Sequence, residues 1–429
     1  MMLTVIGLIF FGTILIGVAV AFGMGLAGAT YILFFEGIEP AILARRFYHA
    51  LGSFPLLAIP LFIMLGFIAD RARMLPHMVT WLEMIFARTR GGMAYINVVS
   101  SMMMAGISGT AVSDIASLGK VQMDMMTRAH YPPAYSAALT AATAIIGPII
   151  PPSVAMIIYA LAVGNVSVGA MFIGGAIPGF LFGFGFLAMC WYTTRRHKYG
   201  MLMPYPSPVE FGLQTLRVMP VLLLPLVIVG GIITGVFTVT ESAAIGVVYA
   251  AIIGLFSTPR LTFRDVYESM IYSAIISSVA GMLLGAGAIL SWILTYNRVT
   301  QTLADFLTSV TDSPTMFMLI VTLALLILGM LMDAVPIMIA LAPLLAPIAK
   351  QYGIPDIQFG LVFVVTCLIG LVTPPVGIIL FMTSSIANVS IEQLSAAVFP
   401  FVVWMVIVVG LMIVFPAVTL WLPKVFGFI

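Results

Sequence analysis

The stretch Ile145-Ile146-Gly147-Pro148-Ile149-Ile150-Pro151-Pro152-Ser153 decides the fold, because its device returns as Leu368-Ile369-Gly370-Leu371-Val372-Thr373-Pro374-Pro375-Val376. A Pro-Pro pair inside an apolar run removes two backbone donors and crowds the preceding turn, so no continuous helix passes through it. The Gly upstream of each pair lets the backbone bend or adopt a positive φ. In hydrocarbon, a freed backbone group is costly unless protein, ions or water satisfy it. Two membrane helices broken in this way make sense if the broken backbone binds something.

The repeat extends well beyond the prolines. Residues 106–167 lie over 329–390 without a gap, with 13 identical pairs among 62 positions. Gly106 falls on Gly329, Ala111-Val112 on Ala334-Val335, and Pro132 on Pro355. Thr143 falls on Thr366, Ile146-Gly147 on Ile369-Gly370, and Asn165-Val166-Ser167 on Asn388-Val389-Ser390. These identities include Pro, Gly and Asn, which a shared apolar bias does not explain. Paired, interrupted hydrophobic segments in two halves of a chain point to the binding site of a secondary transporter.

Composition agrees. Hydrophobic residues make up 62% and charged residues 7%, with a mean hydropathy of +1.21, whereas a soluble domain is about a quarter charged. Apolar runs of about 20 residues, enough to cross a bilayer core, recur along the whole length. This is a polytopic membrane protein. The net charge of +2 comes with no basic tract of the kind that binds nucleic acid. Cys190 and Cys367 lie in apolar runs and suggest neither a disulfide framework nor a metal site. The apolar run begins at once, without a basic n-region or cleavage site, and reads as a retained first span.

Along the chain, residues 3–35 read as one span, or a span broken at Gly23-Met24-Gly25. Glu36 to His49 reads as a polar link whose Arg45 and Arg46 mark it as cytoplasmic, placing the N-terminus outside. A span at 50–69 ends in Asp70, Arg71 and Arg73. Residues 76–87 are too few to cross and suit the interface. The stretch 92–128, interrupted at Gly106-Ile107-Ser108-Gly109-Thr110, reads as a re-entrant hairpin of two half-length helices. A broken span, 134–163, and a span, 168–193, follow, ending in the basic cluster Arg195-Arg196-His197-Lys198. The Pro-rich link 199–215 divides the halves. The second half has spans at 216–236 and 240–257, then Pro259 to Arg264, a long run at 265–296, and a polar link to Ser313. A hairpin at 314–349 turns at Gly329-Met330-Leu331-Met332-Asp333, before a broken span at 357–387 and a last span at 395–422.

Ionisable residues at membrane depth are functional candidates. Asp333 sits at the second hairpin turn and Asp114 just beyond the first, where each could instead cap nearby amides. Glu241 follows Thr240 at the start of an apolar run and suits a cap equally well. Lys120 and Asp124, four apart, could simply pair. Ser108, Thr110, Ser113 and Thr373 flank the breaks. Their hydroxyls suit a hard cation beside exposed carbonyls, or bonds to the preceding turn. Asn165-Val166-Ser167 and its repeat fit helix endings better than glycosylation sites. The methionines Met102 to Met104 and Met123 to Met126 suit core packing. Zinc, nucleophile-elbow and phosphate-loop motifs are missing, so nothing points to an enzyme.

With Gly106 to Ala111, Ile146 to Ser153, Thr240-Glu241-Ser242-Ala243-Ala244, Gly329 to Asp333, Thr373 to Gly377 and Leu420-Trp421-Leu422-Pro423 in place, the chain resembles the large membrane subunit (DctM type) of tripartite ATP-independent periplasmic (TRAP) transporters. The resemblance covers nearly the whole length. It implies sodium-coupled import of an organic acid, of sialic acid or C4-dicarboxylate type, across the bacterial inner membrane by an elevator motion. It also implies two obligate partners, a small four-helix membrane subunit forming a heterodimer and a periplasmic substrate-binding protein. Family members commonly carry Gly-Tyr where this chain has His130-Tyr131, whereas Gly353 keeps the Gly in the second repeat.

The expected architecture is therefore an all-α, multi-pass membrane protein of two inverted repeats with re-entrant hairpins and broken helices. Residues 1–90 would form scaffold and arm helices, and 91–198 one half of the transport domain. Residues 199–312 would supply the linker and second scaffold portion, and 313–429 the other transport half. Na+ as coupling ion would bind around Ser108, Ser113, Asp114, Gly147 and Pro151, and around Gly329, Asp333, Gly370, Thr373 and Pro374. The organic acid would sit between the turns, near Ser108, Gly109, Thr110, Met332, Asp333, Pro152 and Pro375. The rival readings are a stand-alone ion-coupled carboxylate transporter without a binding protein, and a channel.

Overall fold

The computed structural model describes residues 2–34, 38–86, 88–197, 199–200, 206–257 and 260–429. Among them there are helices and no strand, and eight helices are long and apolar enough to cross a membrane. Glu36, Lys198, residues 201–205 of the central link and Pro259 lie outside the described residues.

Each half runs through the same series of elements. The first opens with Met2–Leu15 packed against Val20–Phe34, followed by Ala41–Leu51 and the span Phe54–Arg71. The second opens with Pro208–Ile233 packed against Val239–Phe256, followed by the single 34-residue helix Phe263–Tyr296. Its counterpart in the first half is split at Gly52-Ser53, where Pro55 lacks the donor a continuing helix needs. Short helices come next, Met74–Phe86 and Val299–Val310. Hairpins follow, Gly92–Ser108 with 111–128, and Pro314–Leu331 with Ala334–Gln351. Broken helices complete the series, Pro133–Ala144 with Val154–Val163 and Asp356–Gly370 with Ile378–Ala387, before the spans Val168–His197 and Ile391–Val414. The two halves are related as inverted repeats, and their hairpins and broken helices pack on one another across one continuous apolar core.

Several expectations are corrected. The stretch expected as one span over 3–35 is instead two helices folded back on each other, Met2–Leu15 and Val20–Phe34, and the chain turns at 16–19, where Gly17 has φ +85°; residue 35 lies outside the described residues. Gly23 lies within the second helix, where a Cβ would sit 2.6 Å from Thr13 Oγ1. Its smallness lets the two helices close and does not break either. Met2 and Phe34 therefore lie at the same end of this helix pair, which removes the argument that set the N-terminus and the following link on opposite sides. That link is itself largely helical. Ile42, Leu43 and Phe47 of Ala41–Leu51 pack inward while Arg45, Arg46 and Tyr48 stay exposed. Its charge content hid a narrow apolar stripe.

The polar link before Ser313 is likewise the helix Val299–Val310, anchored by Ala304 and Leu307. The last span ends at Val414, and Ala417–Val425 is a separate short helix. Lys120 and Asp124 form no ion pair; the described ion pairs tie Arg71 to Asp265 and Glu268, and Arg264 to Glu268. Glu241 caps its own helix in a reciprocal pair with Thr238. The helix-ending role expected of the repeated Asn-Val-Ser is found at Asn388 alone, since Gly164, φ +86°, closes the first-half helix before Asn165. Asn388 closes a helix at φ +52°, and Ser167 and Ser390 accept amide bonds at the start of the next helices. His130 adopts φ +66°, the same left-handed turn as its repeat partner Gly353 at φ +74°.

The glycines upstream of the prolines do not act through φ either, since neither Gly147 nor Gly370 has a positive value. Gly370 is small because it meets Gly329, whose Cβ would lie 3.0 Å from the Gly370 Cα. This is backbone-to-backbone packing of the kind membrane helices favour. Gly370→Ala should therefore force the second hairpin away from its broken helix and cost about 2 kcal/mol. Gly410→Ala, in a mid-helix position with open space around it, should be neutral or stabilise by up to about 1 kcal/mol. Thermal unfolding in detergent, read by size-exclusion chromatography, should show a lower transition for the first variant alone. Equal transitions would contradict the close approach.

Candidate substrate and ion site at the hairpin tips

The tips are built by local chemistry. Gly92–Ser108 ends at Gly109, φ +63°, and Thr110 opens the second arm by accepting the Ser113 amide at 3.3 Å on its hydroxyl. At the repeat-equivalent position of the second hairpin, Asp333 caps the second arm, with its Oδ1 accepting the Ala334 amide at 2.7 Å. The capping alternative for Asp333 is thus realised, and its residue remains exposed to the space in front of the tip.

Both Pro-Pro bonds, Pro151-Pro152 and Pro374-Pro375, are cis. At the first break Ser153 restarts the helix by accepting the Met156 amide at 3.2 Å, and its hydroxyl donates to the Pro148 carbonyl. At the second, the Thr373 hydroxyl donates to the Ile369 carbonyl at 2.7 Å. Each break is then tied to its hairpin tip. The Val154 amide donates to the Gly109 carbonyl at 3.3 Å, and the Gly377 amide, at the repeat-equivalent position, donates to the Met330 carbonyl at 3.3 Å.

The halves differ in one respect that matters for ions. Asp114 is 3% exposed, at the base of the first tip. The Ser108 hydroxyl donates to its Oδ1, while its Oδ2 has no protein partner. That orphaned oxygen lies against Gly147, where any Cβ would overlap it. Gly147 is therefore small to admit a carboxylate, and Asp114 is not a cap. The equivalent of Asp114 in the second half is Ile337, so only the first tip holds a buried acid at this position.

In front of the tips lies a cavity of about 540 Å³. Equivalent residues of the two repeats face it together: Thr110 with Asp333, Ala111 with Ala334, Val112 with Val335, and Pro148 with Leu371. Ser108, Gly109 and Ser113, with the start of Val154–Val163, add to that wall. The opposite wall comes from Phe54–Arg71, through Ile63, Gly66 and Asp70, and from Phe263–Tyr296, through Ile275 to Leu283. The two hairpin turns anticipated from sequence are thus brought to one space. Met332, Pro152 and Pro375 do not reach it. Gly147 and Pro151 lie behind the first tip, and Gly329, Gly370, Thr373 and Pro374 behind the second. The facing wall was missed. Asp70 stood at the end of an apolar run with no sign of what it would meet across the fold.

Comparison with known proteins agrees with this architecture. Residues 7–418 match the family model described as "Tripartite ATP-independent periplasmic transporter, DctM component". The chain is 30% identical over 97% of both chains to the sialic acid TRAP transporter large permease protein SiaM of Vibrio cholerae. It is 32% identical, over 94% of both chains, to the 2,3-diketo-L-gulonate TRAP transporter large permease YiaN of Escherichia coli. The same identity and coverage relate it to the C4-dicarboxylate TRAP transporter large permease DctM of Pseudomonas aeruginosa. All three are named as permeases and none as an enzyme. The crystal structure of the Alcanivorax borkumensis YdaH transporter, described as having an unusual topology, shares the fold at TM-score 0.63 and 14% identity, over 87% of each chain. This chain belongs to the DctM component family of tripartite ATP-independent periplasmic transporters.

Proposed function

We propose that this chain carries an organic carboxylate across the bacterial inner membrane, driven by sodium, with a small membrane subunit and a periplasmic binding protein as partners. The observation that carries the reading is the convergence of both hairpin tips on one cavity, with Pro148 and Leu371 of the two helix breaks in its lining and the half-satisfied Asp114 carboxylate buried against Gly147 behind the first tip. Sodium suits this donor set. A buried carboxylate oxygen without a partner, the Ser108 and Ser113 hydroxyls and the carbonyls freed at 145–150 are hard oxygen donors, and one negative charge matches one monovalent cation. The second break offers carbonyls, Thr373 and Asp333 for another ion, without a buried acid at the Ile337 position.

The carboxylate of the substrate would face the N-termini of the second hairpin arms at Ala111 and Ala334, where helix dipoles favour an anion. No Lys or Arg lines this cavity, so bound sodium and the helix ends would supply the attraction. The three relatives are named for acids of this class, and sialic acid and C4-dicarboxylates are the first substrates to test. The hairpins with their broken helices would move as one body against a fixed wall of Phe54–Arg71 and Phe263–Tyr296, in an elevator motion. Residues 91–198 and 313–429 would form the mobile body, with 1–90 and 199–312 as scaffold.

Orientation follows from charge. Counting from the span Phe54–Arg71, the membrane face that carries Arg71, Arg73, Arg88 and Arg90 also carries Arg195 and Arg196. The other face carries Arg45, Arg46 and Arg298 with the N-terminus. The excess favours a cytoplasmic first face and, in this reading, a periplasmic N-terminus.

Uptake of radiolabelled sialic acid into proteoliposomes holding this chain with its small subunit tests the whole reading, with binding protein and an inward sodium gradient added or withheld in turn. Uptake should require both. Uptake with sodium alone would select a stand-alone transporter, and uptake of neither sialic acid nor succinate under any condition would remove the carboxylate assignment. Within this assay Asp114→Asn and Ser108→Ala should raise the half-saturating sodium concentration by about tenfold or more, equivalent to about 1.4 kcal/mol. Asp333→Ala should reduce sodium-driven uptake while folded protein stays in the membrane. Unchanged sodium dependence in Asp114→Asn would separate the orphaned oxygen from ion coupling.

A further inference from the structure

A second cavity of about 910 Å³ adjoins the first and differs from it in charge. It continues along the same elements. On Phe263–Tyr296 the tip cavity takes residues up to Leu283 and the second cavity takes Leu284 onward, to Tyr296. On Val154–Val163 the division falls between Ile158 and Ala160. Within the second cavity, Gly287 packs so closely on Ile339 that no Cβ would fit. One wall is fixed to Arg46, His49 and Trp292, and the other belongs to 160–168 and Ile339.

We propose that this cavity is an anion site that receives the carboxylate of the transported acid before it reaches the hairpin tips. The proposal rests on the carboxylate reading above. Three observations carry it. The lining includes Arg46 and His49 and no Asp or Glu, whereas the tip cavity includes Asp70 and Asp333 and no Lys or Arg. Among the described residues no carboxylate pairs with Arg46; its guanidinium instead stands over the Trp292 ring, 5.7 Å from the centroid. With that ring as a neighbour and no acid beside it, the guanidinium fork is available for a bidentate carboxylate. The buried Ser53 hydroxyl, also in the lining, has no hydrogen-bond partner, which leaves a group free for the ligand. The volume suits an acid of sugar size. By the orientation above, the cavity lies toward the periplasmic face, where substrate arrives.

The test uses the chain with its small subunit in nanodiscs and needs no transport. Iodide quenching of the Trp292 fluorescence, isolated by difference from Trp292→Phe, should be protected by N-acetylneuraminate or succinate. Arg46→Gln should abolish that protection and Arg46→Lys should retain part of it, because an ammonium keeps the charge but loses the fork. In proteoliposomes Arg46→Gln should raise KM about tenfold with Vmax within about twofold. No protection in a wild-type protein that transports either acid would overturn the site and leave the proposed function standing. Protection by inorganic phosphate or phosphatidylglycerol, and by neither acid, would overturn it in favour of a lipid headgroup. Protection by an acid that is not transported would uphold the site and count against the function.

Discussion

Backbone polarity in an apolar solvent is the constraint on which the rest of this protein depends. Two Pro-Pro pairs open two helices at membrane depth, and each opening leaves carbonyls that lipid does not satisfy. The fold answers by folding a hairpin tip against each break. The amide of Val154 reaches the Gly109 carbonyl, and the amide of Gly377 reaches the Met330 carbonyl. Ser153 and Thr373 return their hydroxyls to carbonyls of the preceding turn. Irregular backbone is thereby buried in protein and lines a cavity, which is the condition under which it is tolerated in a membrane.

Close packing makes those contacts reachable. Gly329 and Gly370 bring the second hairpin and its broken helix to backbone contact, and Gly106 seats Pro225 of the adjoining span. Gly147 does something different in the equivalent place, since its missing side chain is occupied by the carboxylate of Asp114. The same residue type at the same repeat position serves packing in one half and an ionisable group in the other. A repeated scaffold need not carry two identical sites, and here the presence of Ile337 where the first repeat has Asp114 sets the two halves apart.

Charge is distributed with equal economy. The tip cavity carries Asp70 from one wall and Asp333 from the other, and the neighbouring cavity carries Arg46 and His49. An anion entering from the basic side would meet an acidic space that is hospitable only when cations or helix N-termini neutralise it. Under the proposed function, that arrangement would make the ion and the acid depend on one another, as coupling requires.

Much of this was legible in the chain itself. The Pro-Pro pairs, the 13 identities between 106–167 and 329–390 and the family motifs determined the repeat, the hairpins and the broken helices, because proline's missing donor and glycine's missing side chain act through local backbone geometry. Asp114 and Ser108 could be singled out for the same reason, as polar groups beside a predictable break. The helices at 41–51 and 299–310 were hidden, since an amphipathic surface helix with several charges has the composition of a link until its partner face is known. Only the tertiary structure decided that Gly147 accommodates a carboxylate, that residues 16–19 and not 23–25 turn the chain, and that Asp70 and Arg46 face cavities. Those facts depend on contacts between residues distant in sequence, and no local propensity records them.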